Sequence, residues 1–182
     1  MIVGHLGIAL GVRARWRDTP LLPLFAASIL PDLVDGPIRV LQLCSPFGLY
    51  SHSLPAVAIL AMIAAAAAFV FTRSRTTALV FALVVALHLP ADYITGQKIL
   101  WADGPIIGLF VYRWPLIDFF VELPIIAAGW YLHRRRATMP PWVLTGLALA
   151  AFGAGQALAD YRSWLHGPHT PNECEAAELQ RR

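Results

Sequence analysis

The nineteen residues from Leu54 to Thr72 contain no charged side chain, and no other feature limits the fold so strongly. Roughly 20 apolar residues in an α-helix cross a hydrocarbon layer about 30 Å thick, and inside lipid only helices and closed barrels satisfy their own backbone groups. The run has company. Thr77 to Ile94, Leu116 to His133 and Pro141 to Ala159 read as further spans. Hydrophobic residues make up 58% of the chain and charged residues 14%, against about a quarter charged in a soluble domain. The expected fold class is therefore all-α: a polytopic membrane helical bundle with four long transmembrane helices plus two shorter N-terminal helices.

The two shorter segments cover about Ile2 to Val12 and about Pro20 to Val34, with Asp18 as a cap and Pro20 in a first helical turn. In the first, Arg13, Arg15 and Arg17 follow the apolar residues, the reverse of a secretory signal, so it reads as a retained helix. Gly36 to Ser51 reads as a loop with a short interfacial helix around Ile38 to Leu43. Gly96 to Pro115 reads as a second loop, with Trp101, Tyr112 and Trp114 as interface anchors. Residues 1–160 form one integral membrane domain. Residues 161–182 are a polar tail, expected to be poorly ordered, in which His166 and His169 are solvated. Cys44 and Cys174 are the two cysteines, which implies neither a disulfide framework nor a thiolate metal site.

Orientation follows from the arginines. Arg13/Arg15/Arg17, Arg73/Arg75 and Arg134/Arg135/Arg136 put eight of the fourteen basic residues into three short turns on one side, which the positive-inside rule makes the cytoplasmic face of an inner membrane. Followed back and forth, the chain then carries His5, Asp32, Asp35, His52, His88, Asp92, Asp118 and Glu122 to the opposite end. No basic patch is interleaved with stacking aromatics, so nucleic acid is not an expected partner. The expected partners are the lipid bilayer and a small-molecule or lipid substrate.

Ionisable groups at membrane depth are costly unless paired and mark functional sites by default. Imidazole and carboxylate together form the donor set of hydrolytic zinc, manganese and iron centres. His88 and Asp92, four apart, share a helix face, although Pro90 stands between them. Asp32 and Asp35 share a face if the turn after Pro31 is helical, and Pro31 suits a place where the backbone bends. Glu122 follows Asp118 by four. It is a ligand or the orienting partner of a histidine, although both acids also suit the positive N-terminal end of a helix.

These motifs resemble the predicted membrane-bound metal-dependent hydrolases of the YdjM type, also described as LexA-binding inner-membrane proteins. The resemblance runs from His5 to about Gly96. It comprises Gly4-His5 with Gly7 and Gly11, Leu30-Pro31-Asp32 with a second Asp, Gly48 to Leu54 around Ser51-His52-Ser53, and His88-x-x-x-Asp92 followed by Thr95-Gly96. It implies His5, Asp32, His52, His88 and Asp92 as metal ligands. The chain departs from the pattern where Phe47 and Gly48 replace a further histidine, and where the second Asp follows at a spacing of three.

The function that follows is an integral membrane metal-dependent hydrolase acting on a phosphoester or lipid-like substrate at the non-cytoplasmic face. The cofactor is a divalent metal, zinc foremost and manganese or magnesium behind it. Asp35 or Glu122 would take the proton from water. Alternatives from other classes are a small ion-coupled transporter and a non-catalytic membrane adaptor. Polar residues gathered at one end count against a carrier, whose site normally lies near the midplane.

Overall fold

The computed structural model describes residues 2–135, 146, 150, 153–155, 157 and 173–182. Six helices fill the first part: α1 (Ile2–Arg15), α2 (Leu21–Ser28), α3 (Leu30–Val40), α4 (Leu54–Thr72), α5 (Arg75–Thr95) and α6 (Pro115–Arg134). A two-stranded antiparallel ribbon, β1 (Lys98–Ile99) with β2 (Ile106–Ile107), joins α5 to α6. A last helix, α7 (Glu173–Arg181), closes the chain. Among the described residues three helices are long and apolar enough to cross a membrane: α4, α5 and α6 from Leu116. The expected span Pro141 to Ala159 falls almost entirely outside the described residues, as do His166 and His169.

Local chemistry sets the helix ends. Ser53 accepts a hydrogen bond from the Ala56 N–H ahead of α4, and Pro55 occupies its first turn, where no backbone donor is missed. Ser74 does the same for α5 through Thr77 N–H. Half of the apolar stretch of α5 is buried, whereas α4 turns most of its surface outward, with Ile59, Met62, Ile63, Val70 and Phe71 exposed. Among the described residues α5 is thus the inner helix and α4 the more exposed one. Ala61, Ala64 and Ala68 of α4 pack on Val80, Val84 and Val85 of α5, with Ala9 of α1 and Leu24 and Ala27 of α2 in the same core.

α1 lies against α6 so closely that glycine is required. A Cβ on Gly129 would stand 1.9 Å from the Gly7 carbonyl oxygen, and one on Gly7 would stand 2.6 Å from the Ile126 Cα. Small residues at such a crossing let backbones touch where lipid offers no hydrophobic drive for association.

α2 and α3 meet at an angle of 54°. The break falls at Ile29, two residues before Pro31, which has no N–H to continue the helix from Ala27. The structure corrects the expected loop from Gly36, because α3 runs on to Val40 through Gly36-Pro37. Proline's fixed φ is helical, and its missing donor costs this short helix one bond.

Two further corrections concern the tail. Cys44 and Cys174 form a disulfide across 130 residues of sequence, a pairing that spacing alone does not indicate. The end of the tail is helical rather than disordered. α7 docks on the turn at Pro46–Gly48, Arg181 pairs with Asp103, and Arg182 Nη1 donates to the Gly104 carbonyl at 2.6 Å.

Candidate metal centre

The start of α1 meets α6 through Gly4 and Glu122 and the end of α5 through His5 and Asp92. Near this meeting point Asp32, His52, His88 and Asp92 each turn one ligand atom into a common space, all within 4.8 Å of one another. Every one of these groups comes from a helix end or a turn. Asp32 opens α3 after the bend, His52 precedes α4 by two residues, and His88 and Asp92 share the last turns of α5, which continues through Pro90. Phe47 and Gly48 adopt left-handed φ values of 50° and 72°, and Gly48 accepts from His52 N–H at 2.7 Å, which turns the loop inward. A side chain at Gly48 would press on His52 at its Cβ (3.0 Å) and ring Nδ1 (3.2 Å).

The separations suit one small cation. His52 Nε2 lies 3.2 Å from Asp32 Oδ1 and 3.2 Å from Asp92 Oδ2. His88 Nε2 lies 3.5 Å from Asp92 Oδ2 and 3.9 Å from Asp32 Oδ1. Donors around a tetrahedral zinc ion, at about 2.1 Å each, stand about 3.4 Å apart.

The tautomers argue the same way. His88 Nδ1 is 2.8 Å from the Ser28 carbonyl oxygen, so Nδ1 carries a hydrogen and Nε2 is the nitrogen directed into the cluster. That Nε2 is buried without a hydrogen bond, as is Asp32 Oδ2. A lone pair there would face carboxylate oxygens, a repulsion relieved by a proton on Nε2 or by a metal ion in the space between them. The residues therefore fit a divalent ion.

Around this set lies a layer of groups that fix its orientation. Ser51 Oγ donates to Asp35 Oδ1 at 3.0 Å and lies 2.7 Å from His52 Nδ1. With its hydrogen committed to Asp35, Ser51 accepts from Nδ1–H, and His52 Nε2 is left to face the cluster. Burial opposes a charge on His52, yet its bonds to Asp32 and Asp92 outweigh this and raise its pKa above the ordinary imidazole value. A proton there occupies the place a metal would take.

The other expected residues stand around this group of four. His5 Nε2 is 3.0 Å from Asp92 Oδ1, and its ring stacks on His88 at 3.7 Å. His5 is thus outside the group of four. Asp35 lies behind Ser51, and Glu122 Oε2 accepts the Gly4 N–H at 2.9 Å at the start of α1. Asp118, one turn before Glu122, is fully buried.

Sequence reasoning missed Ser51, the Ser28 carbonyl and Lys98, whose Nζ is 3.3 Å from Asp92 Oδ2. A signal for the last was present, since Lys98 is the single lysine of the chain beside thirteen arginines.

The chain matches the model of the YdjM inner membrane protein family over residues 1–160 and belongs to that family. No curated protein and no solved structure matches it.

Proposed function

We propose that this YdjM-family membrane protein is a metal-dependent hydrolase of phosphoester or lipid-like substrates, with its site open to the non-cytoplasmic side. The observation that carries the reading is His88 Nε2, buried, without a hydrogen bond and facing two carboxylates. Two imidazoles and two carboxylates favour zinc, with manganese next, over ions that prefer oxygen alone.

The roles of the residues follow from their bonds. Asp32, His52, His88 and Asp92 hold the ion. His5 fixes Asp92 through Oδ1, Ser28 fixes His88, and Asp35 through Ser51 fixes His52. A bound divalent ion supplies Lewis-acid polarisation of a phosphoryl or acyl oxygen and lowers the pKa of water beside it. Asp35 and Glu122 are already engaged with Ser51 and Gly4, so proton transfer from water falls to Asp32. Its side chain is 34% exposed against 3% for Asp92, and its Oδ2 has no hydrogen-bond partner.

The Cys44–Cys174 disulfide supports the outward face. It lies on the loop that leads into His52, and disulfides persist in oxidising compartments rather than in a reducing cytosol.

The test is elemental analysis of untagged, detergent-purified protein after a brief chelator wash, beside His88→Ala, together with release of phosphate from phosphomonoesters. About one equivalent of zinc or manganese, lost in the variant together with turnover, is the expected result. Wild-type protein that neither retains nor takes up metal overturns the reading.

A further inference from the structure

We infer that Lys98 is the specificity-determining residue of this site: it binds the phosphoryl group of a substrate and leaves the metal to the four ligands. The inference rests on the metal reading above. Lys98 Nζ contacts Asp92 Oδ2 at 3.3 Å, and its side chain is 14% exposed. Asp32 is exposed at 34%, whereas His52, His88 and Asp92 are buried at 1%, 0% and 3%. A molecule entering from solvent therefore meets Asp32 and Lys98 first.

The ribbon holds Lys98 there independently of its charge. Lys98 pairs with Ile107 across the ribbon, and the neighbouring Ile99 is fully buried. Leu54 N–H donates to the Leu100 carbonyl at 2.8 Å, which ties the ribbon to the start of α4, next to His52. Leu109 N–H donates to the Tyr93 carbonyl at 2.8 Å, which ties it to the end of α5, next to Asp92. Both anchors are backbone bonds. The lysine is thus carried on the same supports as the ligands.

Charge decides its role. In the ion-free site the Lys98 ammonium neutralises Asp92. Asp32 and Asp92 would balance a divalent ion held by the four ligands, and Lys98 would then compete with that ion for Asp92, since two cations at one carboxylate repel each other. The ammonium is a compact charge on a flexible four-carbon stem, so it can turn toward solvent, where it gives the loaded site an uncompensated positive charge. A neutral ester gains nothing from that charge, while a phosphate monoester gains a partner for the oxygens that do not face the metal.

The experiment uses the full chain in detergent, loaded with manganese(II), and reads inorganic phosphate by paramagnetic broadening of its phosphorus resonance. Lys98→Met should weaken phosphate binding about tenfold or more while manganese binding stays equal or tightens, because a competing cation has gone. Lys98→Arg should keep phosphate binding within a few-fold of wild type. A residue that only supports the fold would lower metal and phosphate binding together in Lys98→Met, and that result would overturn the inference, as would wild-type protein that holds manganese but does not broaden the phosphate signal. Wild type without manganese removes the metal reading itself, and this inference with it. Competition by phosphatidic acid in the micelle, set against a soluble phosphomonoester, separates a lipid headgroup from a free metabolite. Displacement of phosphate by either, lost in Lys98→Met, supports the assignment.

Discussion

Two pairs of ionisable residues look alike in the sequence. His88 and Asp92 stand four apart near the end of one long apolar helix, and Asp118 and Glu122 stand four apart near the start of another. All four side chains are buried, yet the chain uses the pairs differently. His88 and Asp92 come from the C-terminal turns of the inner helix, where α3 and the His52 loop close over them and two more donors arrive from outside the helix. Glu122 lies on α6 opposite the start of α1 and accepts Gly4 N–H, one of the donors a helix start leaves without an internal partner. Spacing on a helix therefore says that two groups can act together. Whether they do depends on what the neighbouring elements aim at them.

The comparison breaks most visibly at Asp92 and His88. Asp92→Asn and His88→Ala should each weaken metal binding by more than about 100-fold with the helical content kept, since first-layer losses exceed the 10- to 100-fold typical of orienting partners. Elemental analysis and circular dichroism on the same samples check this. Retained metal in both variants would make the first pair as structural as the second. Next in size is the layer behind the ligands: Ser51→Ala and Asp35→Asn should each cost about 10- to 100-fold in metal affinity, measured by competition with a chromogenic chelator. His5→Gln, which keeps a donor toward Asp92, should cost less than Ser51→Ala.

On the other side of the comparison, Glu122→Gln should leave the metal in place and lower stability by about 1–2 kcal/mol, the worth of a charged partner at a partly buried helix start. A thermal melt monitored beside metal content separates the two effects. Loss of metal in Glu122→Gln, with α1 still packed, would return Glu122 to the centre and erase the contrast.

These differences explain what could be read in advance. The uncharged run Leu54–Thr72 coincides with α4, and the arginine-bounded runs after it grew into α5 and α6 with shifts of one or two residues at each end. Hydrophobic length and local caps are properties of a segment, so a segment reveals them. His88 with Asp92 was legible for the same reason. The bond from Gly4 to Glu122 joins residues 118 apart, and Cys44 joins Cys174 across 130; no local pattern encodes either, because both arise from how helices stack. Lys98 needed the ribbon. Its polarity said loop, and only the pairing with Ile107 and the anchors at Leu100 and Leu109 carry it to Asp92.

The smallest effect is expected at the arginine end, and its smallness is informative. Arg135 stands over the Tyr131 ring at 4.6 Å, and Arg134 does so at 5.1 Å, at the exposed end of α6. Neither is among the ligands, which come from α3, the turn before α4 and the end of α5, whereas both arginines sit at the C-terminal end of α6, a helix that supplies no ligand. Arg135→Ala should therefore leave metal content unchanged and alter stability by no more than about 0.5 kcal/mol, as for an exposed substitution away from any special feature. In the proposed orientation this end supplies the positive-inside bias. Replacing Arg134, Arg135 and Arg136 together should accordingly lower the fraction of molecules whose site-side loops face outward, read by protease cleavage at that face in intact spheroplasts, while correctly oriented molecules keep their metal. If Arg135→Ala alone released metal, the two ends of the bundle would be coupled, and the separation of an orienting end from a chemical end would fail.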